Sequence, residues 1–355
     1  MIEDMEKLLT EMFTKGASDL HIGGGSPLMY RIHSDLVPVN NKVLTPEDSK
    51  RITYSFLTKE QIEIFEREWE LDFSFGLGDV ARFRVNVFKQ RSSIGAAIRI
   101  IPYEKMSFEE CGLPVNVITS LCKKQRGLVL VTGATGSGKS TTLASMIDYI
   151  NKNRPCHIVT VEDPIEFVHR NSRSIVDQRE VYSDTHSFGN ALKHVLRQDP
   201  DVILIGEMRD LETISSALTI AETGHLVFAT LHTSDCVQTI NRIVDVFPSH
   251  QQSQIKLQLS FVLLGVVSQQ LLPIADKTSR KLATEVLLAT PAVRALVREG
   301  KVHQLYSVMQ TSQKEGMQTM NQCLANLYID GFVSYEDSIQ YSSSAEEFDK
   351  IIGKK

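Results

Sequence analysis

The stretch Gly127–Leu143 reads GLVLVTGATGSGKSTTL, and everything else in the chain is arranged around it. Its opening, Leu128–Val131, is wholly apolar and short, as expected of a strand buried on both faces. Next comes Gly133-Ala134-Thr135-Gly136-Ser137-Gly138-Lys139-Ser140, a complete G-x-x-x-x-G-K-S. It follows a predicted strand and opens a predicted helix over Lys139–Asn151, the setting in which this pattern forms a phosphate loop. The glycines let backbone N–H groups curl round phosphate oxygens, and the helix N-terminus adds positive potential. Lys139 is expected to reach the β- and γ-phosphates, and the Ser140 hydroxyl to ligate Mg²⁺. Gly133, Thr135, Gly136, Ser137, Gly138, Lys139, Ser140 and Thr141 are thus the expected binding residues for ATP with its Mg²⁺.

Downstream, strands and helices alternate: a strand at His157–Val161, a helix at Ser187–Arg197, a strand at Val202–Ile205, a helix at Asp210–Glu222 and a strand at Leu226–Thr230. Apolar strands alternating with helices predict a parallel sheet covered on both faces, hence an α/β domain. From Asp235 onward the pattern reads as mostly helical, ending in a polar tail, Tyr341–Lys355, to which the sequence assigns no role. Such sheets hold ligands at the C-terminal ends of their strands. Val202–Ile205 ends in Gly206-Glu207, with Gly206 where an Asp would ordinarily help hold the metal. Glu207 is therefore read as both a catalytic carboxylate and, with Ser140, a metal-side residue. The preceding strand ends in Glu162-Asp163-Pro164-Ile165-Glu166. Hydrolysis needs a carboxylate to orient water. Glu166 and Glu207 are favoured because successive strands deliver both to one edge, whereas Asp163 reads equally well as a surface charge. His232, just past Leu226–Thr230, stands where a γ-phosphate sensor would, while His225 sits at that strand's other end. Arg84, Arg99, Arg197 and Arg209 are candidate phosphate-facing cations.

The N-terminal part has a different rhythm. Met5, Leu8, Leu9 and Met12 recur at helical spacing. Leu20 and Ile22, then Leu28, Tyr30 and Ile32, flank a glycine-rich turn as two strands. Thr45, Pro46 and Asp48 form a helix-start signal, and a second helix is expected over Thr58–Trp69. Phe83, Val85 and Val87 alternate with Arg82, Arg84 and Asn86; Ile94, Ala96 and Ile98 alternate similarly. A hairpin with a four-residue loop, Lys89–Ser92, would set Phe88 opposite Ser93 and Phe83 opposite Ile98, placing both apolar sets on one face. Arg82, Arg84 and Arg99 then share the other face, with no acid in the hairpin beside them. A solvated face and a face awaiting an anion fit that pattern equally. The pattern breaks between Pro102 and Pro114, where a linker is expected.

Composition sets the bounds. The chain has 355 residues, 42% hydrophobic and 23% charged, with 38 Lys+Arg against 43 Asp+Glu and a net charge of −5. That length suits two domains, and the charge argues against a surface built for nucleic acid. Its five scattered cysteines fit neither a disulfide framework nor a four-Cys zinc site, and a reducing compartment is expected. No apolar run approaches the roughly 20 residues of a membrane span.

Several stretches together resemble the secretion ATPase superfamily, and within it the type IV pilus retraction ATPases. They are GLVLVTGATGSGKSTTL, Val161–His169 (VEDPIEFVH, similar to an Asp box), Asp199–Asp210 (DPDVILIGEMRD, similar to a Walker B) and Ala221–Pro248 (similar to a His box). Gly16–His21, Ala81–Asn86 and Arg99–Pro102 also fit. The resemblance implies a PAS-like α+β N-terminal domain (1–101), the linker (102–114), and a RecA-like P-loop ATPase domain with a helical C-terminal region (115–355). It implies a ring-shaped homo-hexamer, with Glu166 as general base, Glu207 as Walker B carboxylate, and His225 and His232 in the His box. It also gives Arg84 and Arg99 the role of N-domain arginines that reach the nucleotide. The expected activity is a cytoplasmic Mg-ATP-hydrolysing motor for pilus retraction and twitching motility. It would be associated peripherally with the inner membrane through a pilus platform protein, act on pilin indirectly, and neither enter the membrane nor bind nucleic acid. The missing four-Cys motif favours the retraction branch over assembly and type II secretion ATPases. Ala292–Glu299 (AVRALVRE) does too, being similar to that branch's AIRNLIRE with Val293 and Val297 for Ile and Ala295 for Asn. The alternatives are an accessory retraction paralogue, an assembly or secretion ATPase without its zinc motif, a nucleic-acid translocase, or a nucleotide-switched adaptor with little turnover.

Overall fold

The computed structural model describes residues 2–32, 35–78, 81–101, 103–275 and 279–354, with only the backbone of 2–4. The chain divides into two compact units, Met1–Glu104 with Glu166–Val168, and Lys105–Ile165 with His169–Lys355. Pro102, where the linker is expected to begin, lies outside the described residues.

The first unit is an antiparallel sheet of six strands in the order β3-β2-β1-β6-β5-β4. The strands are β1 (Asp19–Ile22), β2 (Met29–Ile32), β3 (Asp35–Pro38), β4 (Glu70–Leu77), β5 (Ala81–Gln90) and β6 (Ser93–Ile101). Helices Ile2–Thr14, Pro46–Tyr54 and Lys59–Glu68 accompany it. Thr45 and Thr58 both close capping boxes, with Asp48 and Gln61 reaching back. Each box satisfies backbone donors that a helix start would otherwise leave bare. Leu9, Met12, Leu20, Phe65, Phe83, Val85 and Ile98 form the core of this unit.

The β5–β6 register departs from the sequence expectation by two residues. Gln90 pairs with Ser93, Val85 with Ile98 and Phe83 with Ile100. The turn is only Arg91-Ser92, with φ of 44° and 61°, as a tight two-residue hairpin demands. A two-residue slip preserves which side chains share a face, so the apolar set is still buried. What changes is the partnering of the arginines. Arg84 stands directly across from Arg99, and Arg99 is also opposite Asp19 of β1. Arg99 Nε donates to Asp19 Oδ1 at 2.8 Å, and Arg82 Nη2 to Ser74 Oγ at 2.7 Å. The acid absent from the hairpin comes from the neighbouring strand.

In the second unit seven strands run in the order β13-β12-β7-β11-β10-β8-β9. They are β7 (Gly127–Thr132), β8 (His157–Glu162), β9 (Ile175–Glu180), β10 (Val202–Ile205), β11 (Leu226–Leu231), β12 (Leu263–Pro273) and β13 (Arg280–Leu288). All pair in parallel except β12 with β13. The central strand β7 is buried throughout and feeds both faces. Leu128 and Leu130 join one hydrophobic cluster, Val129 and Val131 the other. Phe108 and Leu113, within the expected linker, are buried in the second of these.

The region after Asp235 is mostly helical, as expected, but the β12–β13 hairpin inserts there and makes the sheet mixed. β12 lies between β7 and β13 and is buried almost throughout, so its sequence lacks the alternation that marks a half-exposed strand. β9 is the opposite case, a polar edge strand. The tail is not merely polar either: helix Ala345–Ile351 buries Phe348 completely. Within AVRALVRE, Val293 and Val297 are fully buried in the main core. Its Arg294 donates to the Ser260 and Phe261 carbonyls at 2.6 and 2.7 Å, capping helix Ser249–Val262. Among the described residues no helix is long and apolar enough to cross a membrane.

Candidate active site at the phosphate loop

Because β7, β8, β10 and β11 are parallel and adjacent, their C-terminal ends meet at one sheet edge. The phosphate loop leaves β7 there and opens helix Lys139–Asn153. Gly133 adopts φ +142°, and a Cβ on it would meet Gln269 O at 2.4 Å and Ser137 Oγ at 2.5 Å. Only glycine fits where the loop passes so close to β12. Lys139 is buried, and its Nζ donates to the Gly133 and Ala134 carbonyls at 2.8 and 2.9 Å. The cation is thus held inside the curl of the loop. Gln269 Nε2 donates to Thr142 Oγ1 at 2.7 Å, tying β12 to the first turn of the helix.

Two strands over, at the end of β10, Gly206 N donates to Val161 O at 2.8 Å, continuing the β10–β8 ladder. A Cβ on Gly206 would stand 3.1 Å from Glu162 Cα and 3.2 Å from Val161 O. This close approach accounts for glycine where Asp is usual: the end of β8 occupies the space. Thr230 Oγ1 donates to Gly206 O, and Met208 N to Thr230 O at 3.0 Å, fixing the 206–208 turn against β11.

That turn presents Glu207, whose carboxylate takes two contacts of 2.6 Å from the Arg209 guanidinium. His232 Nε2 lies 3.2 Å from Glu207 Oε1. Burial opposes ionisation of Glu207, but the Arg209 hydrogen bonds and the nearby His232 outweigh it. They hold the carboxyl below the usual carboxylate range. Glu207 and His232, both selected from sequence, are therefore brought together. Arg209, weighed only as a phosphate-facing cation, is instead the partner of Glu207. Its i, i+2 spacing across a turn has no periodic signature to give it away.

Other candidates are placed differently. Glu162 accepts from Thr160 Oγ1 at 2.6 Å and from Gln178 Nε2 at 3.2 Å, a half-buried bracing role. Glu166 is exposed and falls in the compact unit with residues 1–104. His225 precedes β11, so it lies at the sheet edge opposite the phosphate loop. There its Nδ1 sits 3.1 Å from Ile220 O and 3.3 Å from Thr223 Oγ1. Arg197, before β10, is at that far edge too. Neither is brought to the loop of its own chain. In the first unit Arg84 is exposed and makes no ion pair among the described residues, whereas Arg99 holds Asp19. His169, buried within the Asp-box stretch, is pushed down to about 3 by burial, reinforced by Lys105. No group of three or more His, Cys, Asp or Glu among the described residues is arranged to hold a metal.

Comparison with known proteins places these features in a wider set. Residues 1–339 match the family described as type II/IV secretion system protein. The chain is 47% identical over 345 residues to the type IV pilus retraction ATPase PilT of Pseudomonas aeruginosa, covering 97% of this chain and 100% of that protein. It is 42% identical over 349 residues to the type IV pilus ATPase PilU of the same organism, covering 98% and 91%. A crystal structure of the pilus retraction motor PilT with bound ADP matches with a TM-score of 0.90 at 48% identity, over 97% of this chain and 98% of that one.

Proposed function

This chain belongs to the type II/IV secretion system protein family, and on that premise we propose that it is a hexameric Mg-ATP-hydrolysing motor that powers type IV pilus retraction. The observation that carries the chemistry is the meeting, at one sheet edge, of a complete phosphate loop with an ionised Glu207 held by Arg209 and His232. ATP hydrolysis by this family's ATPases supports it. The mechanical role rests on full-length similarity to a retraction ATPase.

In this reading the loop N–H groups receive the β- and γ-phosphates, and Lys139 exchanges its two carbonyl acceptors for phosphate oxygens. Mg²⁺ demands oxygen donors and keeps several waters. The donors fit an ion that arrives with the nucleotide, since Ser140 supplies a hydroxyl, Gly206 brings no carboxylate and Glu207 is already engaged. Ser140 and phosphate oxygens would hold it, with Glu207 joining through water, and when bound it would neutralise charge developing on the phosphates. Glu166, which makes no hydrogen bond among the described residues, takes the proton of the attacking water, while Glu207 and His232 orient that water. Of the two N-domain arginines, Arg84 makes no ion pair among the described residues whereas Arg99 holds Asp19, so Arg84→Ala should lower turnover more than Arg99→Ala. The remaining parts of the proposal are a homo-hexameric ring, docking on an inner-membrane pilus platform protein, and the peripheral location that follows from it.

The test is genetic and biochemical. Deleting the gene in its host should leave excess surface pili and abolish twitching. A plasmid copy should restore both, and a Lys139→Ala copy should not. Bald cells would overturn retraction in favour of assembly, and an unchanged pilus count would favour an accessory paralogue. Purified Lys139→Ala and Glu207→Ala variants that hydrolyse ATP at the parental rate would overturn the site.

A further inference from the structure

The segment that carries Glu166 belongs to no helix or strand. β8 ends at Glu162, and residues 163–170 run on without a ladder or a helix of their own. Yet Ile165 and His169 are both buried, and a buried N–H must find an acceptor. Here each acceptor is a side chain of β9. Glu180 Oε2 accepts from Ile165 N at 3.1 Å, and Gln178 Oε1 accepts from His169 N at 2.7 Å. The two anchors flank Glu166, Phe167 and Val168, with Glu166 directly after the first.

β9 is suited to hold them. Gln178 and Glu180 stand two apart on one strand and so share a face, with Thr160 and Glu162 of β8 as their register partners. Each is fixed in its turn. Gln178 Nε2 donates to Glu162 Oε1 at 3.2 Å, an oxygen that also receives Thr160 Oγ1. Glu180 is only 4% exposed, and its other oxygen accepts from Ser183 Oγ at 3.3 Å. The chain after β9 folds back on it: Asp184 N donates to Glu180 O, and Glu180 N to Asp184 Oδ2, both at 2.8 Å. A buried carboxyl group costs stability unless its oxygens are paired. Both are paired here, one of them with the backbone of the loop. The loop is thus held by two side chains where a regular element would be held by its own ladder.

We propose that Glu180 and Gln178 are positioning residues for hydrolysis, which clamp the two ends of the 165–169 loop and so set where the Glu166 carboxylate stands. The inference rests on the reading of Glu166 as general base, since both residues act through it. Misplacing a reacting group by about 1 Å can cost on the order of 100-fold in rate. The loss therefore falls on kcat, while binding at the phosphate loop is left as it is.

The experiment measures kcat and KM for Mg-ATP on the purified full-length chain, with ADP affinity followed by titration calorimetry. Glu180→Ala should lower kcat by about 10- to 100-fold and leave KM and ADP affinity within about twofold. Glu180→Gln keeps the shape and an acceptor for Ile165 N, and its amide can donate to Ser183 Oγ. It should keep kcat within about threefold of the parent. Gln178→Ala, at a half-buried position, should lower kcat by about 3- to 10-fold with the same unchanged KM. The decisive variant adds Glu180→Ala to Glu166→Gln. A residue that acts through Glu166 adds nothing once Glu166 cannot take the proton, so the double variant should match Glu166→Gln within about twofold. A further drop as large as in the single variant would mean a merely structural role and overturns the proposal. So does a Glu180→Gln as slow as Glu180→Ala. If Glu180→Ala fails to fold, Gln178→Ala in the same two backgrounds carries the test. Parental kcat in Glu166→Gln overturns the general-base reading first. A slow Glu166→Gln beside parental Glu180→Ala and Gln178→Ala overturns the clamp alone.

Discussion

Gly206 offers a sharp test, because the usual residue at its position is known and the structure says why it is absent. Consider Gly206→Asp, which restores the expected carboxylate. Its Cβ would enter at 3.1 Å from Glu162 Cα and 3.2 Å from Val161 O, both backbone atoms that can yield only by moving the end of β8. Overpacking of this kind costs about 1–3 kcal/mol. The new charge would also stand beside Glu207, and two carboxylates about 6 Å apart at an effective dielectric of about 20 repel by about 3 kcal/mol. The sum, about 4–6 kcal/mol, corresponds to a melting-temperature drop of roughly 10–20 °C at about 2–4 °C per kcal/mol for a unit of this size. Gly206→Ala carries only the steric part and should drop by roughly 2–12 °C by the same conversion. Calorimetry on both variants separates the contributions, and ATPase assays should show Gly206→Asp at least about tenfold slower, since the turn that aims Glu207 must shift. If Gly206→Asp melted with the parent and hydrolysed Mg-ATP as fast, the steric account of this glycine would be wrong.

Arg209→Ala should let the Glu207 carboxyl rise back toward the ordinary range, because two hydrogen bonds that favour its ionised form are gone. Activity that needs the carboxylate is lost as pH falls through its folded value, so the acid limb of the pH–rate profile should move to higher pH; an unmoved limb would remove Arg209 from this role. His169, lowered from 6.5 to about 3, is buried neutral, so its contribution to stability is present above 6.5 and is lost as pH falls toward its folded value. His169→Gln should flatten the denaturant midpoint between those pH values, and a parental slope in that variant would refute the assignment. Val297→Ala, at a fully buried core position, should cost about 2 kcal/mol in chemical denaturation without changing ADP affinity. Arg294→Ala frees three carbonyls and should cost about 1–2 kcal/mol, less than the sum of three bonds because water reaches the site; a stability equal to the parent would deny the cap.

The chemistry of the phosphate loop and the order of strands and helices around it were legible in the sequence, because both rest on local constraints. A glycine loop between an apolar strand and a helix start has one productive geometry, and apolar runs of four to six residues bounded by turns specify buried strands without any long-range partner. The faces of the β5–β6 hairpin were legible for the same reason, since alternation survives a two-residue slip. Its register was not, because the choice between a four-residue and a two-residue turn depended on Arg91 and Ser92 both accepting positive φ. The tertiary structure alone decided matters that depend on residues distant in sequence. Asp19 lies 80 positions from the Arg99 it pairs with, and the space Gly206 leaves is filled by the end of β8. β12 hid its strand character because burial on both faces erases alternation. Gln178 and Glu180 come to the loop that carries Glu166 only once the sheet has placed β9 beside β8. Local propensity is written residue by residue, but a site's walls are set by which elements pack together, and that is fixed only when the whole core is buried.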